Sequence, residues 1–241
     1  MPSSLWKDFV NCPKRLKTLA PFLEKYLSKH KQGYIFDAAL GIGCESIFLK
    51  MMGYKIISNE IDETLIQVAT KSAKRQNIKL QITRLDWREI SYPYKYNFFD
   101  GIFLLGNSLS CLNDINDINI SLKNFYFSLK QGGTIIIDER NFPYIISHKN
   151  EILSGNFHYS GEYIYCGKSI KGIPIAISDK EIDFGYFQGI MFIGSLKMYP
   201  FKKGELKELL LEAGFKNVVE FSDFKPGYES RADFFIYIAT K

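Results

Sequence analysis

The 241-residue sequence contains no apolar run near the ~20 residues needed to span a bilayer, and Met1 leads into Pro2-Ser3-Ser4 rather than a signal sequence. A cytoplasmic protein without membrane association is expected. Cys12, Cys44, Cys111 and Cys166 lie far apart with no C-x-x-C, and His30, His148 and His158 form no ligand-spaced pair. Zinc, haem and thioredoxin-like chemistry find no support, no metal is expected, and the cysteines read as four buried reduced thiols. Basic charge is equally unconcentrated. The net charge of +5 is scattered, and the densest stretch, Lys71 to Arg84, is interrupted by Ser72 and Ala73, which suits a solvated helix face better than a nucleic-acid footprint. Internal repeats and low-complexity linkers are absent too. What is present is ample apolar material: 46% hydrophobic and 15% aromatic residues imply a packed core, in one large domain or a domain with an embedded cap.

The most informative segment is Asp37-Ala38-Ala39-Leu40-Gly41-Ile42-Gly43, followed by Glu60-Ile61-Asp62 after a second apolar run. Tyr34-Ile35-Phe36 reads as a buried strand, the two glycines let the backbone turn tightly against a ligand, and a helix opens near Glu45. A dinucleotide fingerprint would require a third glycine where Ser46 stands. The acid four residues before the first glycine instead gives D-x-A-x-G-x-G, the pattern of S-adenosylmethionine (SAM) methyltransferases. Glu60 ends the second strand, where a carboxylate can accept hydrogen bonds from both ribose hydroxyls.

The remaining pattern alternates. A helical stretch over 4–29, broken at Pro13 and Pro21, precedes strands near 34–38, 54–59, 79–84, 98–105 and 132–138, with helices near 45–52, 62–76, 116–129 and 202–213. Such alternation implies a parallel sheet with crossover helices on both faces. Gly132-Gly133 marks a turn into the fifth strand, and Lys216–Phe221 with Asp233–Ala239 reads as a closing antiparallel hairpin. Between Asp138 and Pro200 three short strands are expected, Tyr159–Cys166, Pro174–Phe184 and Gly189–Met198, with turns at Gly167-Lys168 and Lys171-Gly172 and a break near Gly185. They would cap the carboxyl ends of the main strands, where an open α/β sheet binds its ligands.

Leu104-Leu105-Gly106-Asn107-Ser108-Leu109, Ile136-Ile137-Asp138-Glu139-Arg140-Asn141-Phe142, Met198-Tyr199-Pro200 and Asp223-Phe224-Lys225-Pro226 occur in that order. Together they resemble the glycine N-methyltransferase family, including bacterial glycine/sarcosine methyltransferases, from about Arg15 to the C-terminus. The resemblance implies a doubly wound Rossmann-like methyltransferase sheet with a C-terminal antiparallel hairpin and a small inserted antiparallel β cap. Residues 1–33 would cover the cofactor site, 34–141 and 200–241 would form the SAM-binding core, and 142–199 the substrate cap.

Residue by residue, the resemblance places Asp37, Ala39, Gly41, Gly43 and Ile61 about the cofactor, with Glu60 on its ribose, Asp86-Trp87 beside the adenine and Leu105 under the methionine part. Trp87 reads equally as a core aromatic. Arg15 matches an arginine that binds the cofactor carboxylate, with Trp6 as its cover, and reads nearly as well as a solvated arginine on a basic helix. Arg140 follows a buried strand at the open sheet edge, where its planar fork could hold a substrate carboxylate; pairing with Glu139 or Glu162 is the structural alternative. Asn107 is expected to orient the same substrate, or to cap its own turn. Tyr199 matches the family best among the cap tyrosines Tyr163, Tyr165, Tyr186 and Tyr199. The family histidine near the end of the LGNS segment is Cys111 here.

The implied reaction is an in-line displacement at a sulfonium methyl, leaving S-adenosylhomocysteine, in which orientation supplies most of the acceleration and no general base is assigned. The expected acceptor is a small amino acid or carboxylated amine resembling glycine or sarcosine. A larger secondary metabolite, methylated on oxygen or nitrogen, is the alternative, and a catalytically silent SAM-binding protein a third. Because the chain begins too late for the family's N-terminal extension, a monomer or dimer is expected in place of its tetramer.

Overall fold

Strands whose side chains are apolar on both sides can only lie inside a layered sheet, and the sequence supplies four of them in parallel array. The computed structural model describes residues 6–156 and 170–241, with the backbone alone at residues 6 and 7. Its main sheet contains β1 (Tyr34–Asp37), β2 (Lys55–Asn59), β3 (Ile82–Thr83), β4 (Phe99–Leu104), β5 (Leu129–Arg140), β9 (Lys216–Ser222), β10 (Lys225–Pro226) and β11 (Phe234–Thr240). A second sheet holds β6 (Ile170–Ile177), β7 (Ile182–Gln188) and β8 (Met191–Met198). The helices are α1 (Trp6–Phe9), α2 (Cys12–Leu27), α3 (Cys44–Met51), α4 (Glu63–Lys74), α5 (Ile115–Ser128), α6 (Phe142–Ser147), α7 (Lys149–Leu153) and α8 (Glu205–Glu212).

The eight-stranded order is β10-β9-β11-β5-β4-β1-β2-β3, with β11 antiparallel to β5 and to β9 and the five strands from β5 to the β3 edge parallel. The chain winds outward from β1 to β3 and returns to β4 on the other side of β1. Such a reversal opens a crevice at the carboxyl ends of the strands. Alternation along β1 sends Ile35 to one face, where Leu19, Leu23 and Leu27 of α2 cover it, and Phe36 to the other, with Leu122 and Phe125 of α5. The sheet is thus covered on both faces, and among the described residues no helix is long and apolar enough to cross a membrane.

Several local expectations are corrected. Pro13 opens α2 instead of breaking it, and Pro21 lies within an uninterrupted helix. A proline at the helix start forfeits no intrahelical bond, and at Pro21 the buried stripe of Leu19, Phe22, Leu23 and Leu27 outweighs the bond lost. The Gly132-Gly133 pair sits inside β5, accommodated by a register shift against β4.

In the cap, Lys171-Gly172 falls within β6 and Gly185 within β7. The turn is at Ser178, whose Oγ accepts from Lys180 N and Glu181 N at 3.3 and 3.0 Å. Gly185 is a close approach rather than a break, since a Cβ there would stand 2.7 Å from Ile175. Tyr159–Cys166 lies outside the described residues, and 142–153 carries two short helices that the strand pattern did not suggest. Finally, Cys12 and Cys44 are not reduced thiols: they form a disulfide with Cα atoms 5.4 Å apart.

Candidate functional site

At the reversal point of the sheet, a cavity of about 240 Å³ opens between the glycine-containing loop, the ends of β4 and β5, the start of α2 and the cap. Gly41 and Gly43 take φ of +53° and +89°, the left-handed region that favours glycine. Gly43 packs under α4, where a Cβ would lie 3.1 Å from that of Ala69, whereas a Cβ on Gly41 would meet nothing within 4 Å and would project beside the open cavity.

Two acids from adjoining strand ends frame the loop. Asp37 is buried, with Oδ1 accepting from Ala39 N at 3.3 Å and Oδ2 from Ser46 Oγ at 2.6 Å. Burial, opposed by the Ser46 bond, pushes its carboxyl up to about 8. Glu60 Oε2 accepts from Gly41 N at 2.9 Å, and Oε1 from Ile61 N and Asp62 N at 2.9 and 3.0 Å. Oε2, with only one bond accepted, keeps acceptor capacity for a hydroxyl. Desolvation raises the Glu60 carboxyl above its ordinary value despite these bonds.

The residues present suit SAM. Gly41 leaves clearance for a ligand, Glu60 Oε2 offers an acceptor to a hydroxyl, Asp37 and Glu45 offer carboxyl groups to an ammonium, and Arg15 offers a cation to a carboxylate. Arg15 reaches the wall from α2 and is paired with Glu45 of α3, Nε to Oε1 2.5 Å. The Cys12–Cys44 disulfide ties the same two helix starts together. Leu105 lies on the wall as expected, while Ile61 stands 70% exposed beside Glu60.

The wall away from the glycine-containing loop is formed by Arg140 at the end of β5, Phe9 from α1, Tyr186, Leu196 and Met198 from the cap, and Phe234 from β11. Arg140 and Phe234 are register partners across the β5–β11 pair. The guanidinium carbon lies 4.3 Å from the centroid of Phe184 and 5.2 Å from that of Phe234, so two aromatic rings hold the fork. Cys111 opens onto the cavity, with burial pushing its thiol up to about 11 against the pull of Arg140.

Several sequence-predicted site residues lie elsewhere. Asn107 is buried to 1% exposure behind the wall, both amide atoms bonded within the protein. Tyr199 turns away from the cavity and donates to Glu205 Oε1 at 2.8 Å; burial, then that carboxylate, pushes its hydroxyl up to about 12. Its neighbour Met198 points inward in its place, as strand alternation requires. Asp86 accepts from Arg88 and Trp87 Nε1 donates to Ala38 O at 2.9 Å, and neither reaches the wall. Of the other cap tyrosines Tyr186 is on the wall, while Tyr163, Tyr165 and the side chain of Trp6 lie outside the described residues. Sequence reasoning missed Phe9, Glu45, Leu65, Leu196, Met198 and Phe234. Of the cap pair, Met198 stood in a quoted motif and Leu196 shares its strand face.

Comparison with known proteins agrees with this geometry. Residues 36–137 match the model of a family described as a methyltransferase domain. The chain is 30% identical over 237 residues to the glycine/sarcosine N-methyltransferase of Aphanothece halophytica, covering 98% of this chain and 86% of that one. It is 29% identical to the enzyme of the same name from Halorhodospira halochloris, covering 98% and 85%. A solved SAM-dependent methyltransferase from Clostridium acetobutylicum superposes with a TM-score of 0.73 at 16% identity, covering 99% of this chain and 95% of that one, and so shares the fold. With a crevice at the sheet reversal whose lining suits SAM and relatives matched along almost its whole length, the chain belongs to the glycine/sarcosine N-methyltransferase family of SAM-dependent methyltransferases.

Proposed function

We propose that the protein methylates the amine of a small carboxylated acceptor resembling glycine or sarcosine. The observation that carries this reading is Arg140, a cation on the acceptor wall held between the rings of Phe184 and Phe234. An arginine fixed in this way can receive a carboxylate through two parallel hydrogen bonds with little further loss of freedom. The relatives named above, described as glycine/sarcosine N-methyltransferases, support the same acceptor class.

SAM supplies an electrophilic methyl group on a sulfonium. The chain's own contribution is placement. Glu60 and Gly41 would hold the ribose side, with Ile61 an apolar face for the adenine, and Asp37, Glu45 and Arg15 would hold the amino-acid end. Arg140 fixes the acceptor by its carboxylate, leaving the amine to face the cofactor end of the cavity. Effective molarities for well-oriented reactants reach about 10⁵–10⁸ M, so a site of this kind gains its rate chiefly from orientation. Phe9, Leu196, Met198 and Phe234 exclude water from the acceptor side.

Mass-spectrometric assay against glycine, sarcosine and dimethylglycine, with titration of SAM in the same preparation, tests the proposal. Arg140→Ala should retain SAM binding and lose turnover of the carboxylated amines. An unchanged KM and rate in that variant would remove the carboxylate clamp. The apolar faces of Leu196 and Met198 favour, as a second reading, a larger metabolite amine or phenol, which a panel of uncarboxylated acceptors would reveal.

A further inference from the structure

Cys12 and Cys44 each stand close to a member of the ion pair at the cofactor cavity. Cys44 immediately precedes Glu45 at the start of α3, and Cys12 shares the first turn of α2 with Arg15. Asn11 caps that turn, its Oδ1 accepting Lys14 N–H at 3.2 Å and its carbonyl Arg15 N–H at 3.0 Å, so Cys12 and Arg15 move as one unit. The disulfide and the Arg15–Glu45 pair thus cross the same junction between two helix starts.

A second cavity, of about 670 Å³, lies on the other side of that junction, between the start of α2 and the helices α3 and α4. Leu16, Ile47, Phe48, Met51 and Val68 line it, and Val10, Ile42 and Cys44 belong to the walls of both cavities. The first turn of α2 therefore has open volume on either side, with Arg15 on one wall and Cys12 on the other. It forfeits the dispersion contacts that a filled core would supply, and the covalent link takes their place.

We propose that Cys12 and Cys44 form a thiol–disulfide exchange site that sets the affinity for SAM. In the disulfide state Arg15 is held against the cofactor cavity. In the dithiol state the first turn of α2 is released toward the second cavity and takes Arg15 with it. The proposal rests on the reading of Arg15 as the partner of the cofactor's carboxylate.

The reductant is a dithiol. Cys12, half-buried on the wall of the second cavity, is the sulfur within its reach, whereas Cys44 is 6% exposed. A thiolate of the reductant attacks Cys12 Sγ, forming a mixed disulfide, and Cys44 leaves as a thiolate at the start of α3, where a helix favours negative charge. The reductant's second thiol then displaces Cys12. Two electrons and two protons pass from the dithiol to the two cysteines, and the reductant ends as its own disulfide.

The test equilibrates the protein across ratios of reduced to oxidised dithiothreitol. Calorimetry measures the dissociation constant of SAM, alkylation with peptide mapping measures the fraction of Cys12 present as thiol, and circular dichroism follows the fold at the assay temperature. Reduction should weaken SAM about tenfold or more, the loss of one charged contact, in step with alkylation of Cys12. By reciprocity, saturating SAM should raise the ratio of reduced to oxidised reagent needed for half-reduction by the same factor. Cys12→Ser should bind as weakly as reduced wild type at every ratio; the wild-type titration decides alone if that variant does not fold.

An equal dissociation constant in both states would overturn the proposal. So would a Cys12 that stays open to alkylation under full oxidation, or a reduced protein that has lost its native circular dichroism. Arg15→Ala tells this failure apart from failure of the Arg15 reading, since it should bind SAM weakly in both states. If it binds as tightly as wild type, Arg15 does not hold the cofactor and the proposal falls with it. Weak binding by Arg15→Ala beside redox-independent binding by wild type removes the switch alone.

Discussion

Ser46 Oγ donates to the buried carboxylate of Asp37 at 2.6 Å and shares a second bond of 2.7 Å with Ser58 Oγ. Ser46 is the residue that makes the dinucleotide fingerprint incomplete, and here it supports the acid of the cofactor loop. Because burial pushes Asp37 up to about 8, its carboxyl is largely protonated at neutral pH until a cation arrives.

Binding of cationic SAM should therefore release a proton from Asp37. Affinity should fall by up to about tenfold per pH unit below pH 8, since a one-unit shift corresponds to a factor of ten. Calorimetric titrations in two buffers of different ionisation enthalpy measure the proton count. Asp37→Asn should bind weakly at every pH and lose this part of the slope, which separates it from the cofactor's own titration. The linked stability effect has the opposite sense. A carboxyl raised from 3.8 to about 8 binds more protons folded than unfolded, so its contribution to stability declines as pH rises through that window and is level above it.

The two loop glycines should respond differently to alanine. Gly41→Ala adds a methyl where no protein atom lies within 4 Å, so beyond about 1 kcal/mol of backbone strain it should leave the fold intact while obstructing SAM. Gly43→Ala meets Ala69 at 3.1 Å and Ile47 at 3.2 Å, and should lower the melting temperature more. Thermal melts with and without SAM distinguish them: the ligand-induced shift should vanish in Gly41→Ala.

Arg140→Lys tests planarity rather than charge. An ammonium cannot offer the two parallel donors of the fork or stack between Phe184 and Phe234 in the same way. KM for a carboxylated amine should rise about tenfold to a hundredfold with SAM affinity unchanged, as steady-state kinetics would show. A KM equal to that of wild type would mean that only the charge is read.

The Cys12–Cys44 disulfide closes a loop with a sequence separation of 32, and loop-closure entropy for that length is worth about 3–4 kcal/mol. Reduction should lower the melting temperature by on the order of 10 °C. Cys12→Ser should melt at the lower temperature and no longer respond to reductant.

The wall of the cavity around the glycine-containing loop could be read from the chain because it is made of short local motifs. Asp37, Gly41 and Glu60 lie at ends of apolar strands, and in an open α/β sheet such ends converge whatever the crossovers do. The place of Arg140 on the cavity wall, at the end of β5, was legible for the same reason. Side-chain direction was not: the LGNS and MYP segments located Asn107 and Tyr199 along the chain, but the left-handed turn and the pairing of β8 decided that one is buried and the other faces Glu205. Phe9 and Phe234 are brought together from opposite ends of the sequence by packing of α1 and pairing of β11, which no local pattern encodes. The disulfide escaped notice because separation in sequence says nothing of the 5.4 Å between Cα atoms.

The cavity is divided along the chain as well as in space. Apart from Arg15, the groups that suit SAM fall between Asp37 and Leu105, whereas, Phe9 excepted, the opposite wall of Arg140, Tyr186, Leu196, Met198 and Phe234 follows the matched methyltransferase segment. Under the proposed function, changes in the later segment should redirect acceptor choice while leaving methyl-donor handling intact. Exchange of the stretch after β5 between relatives is the natural route to grafting acceptor preference onto this scaffold.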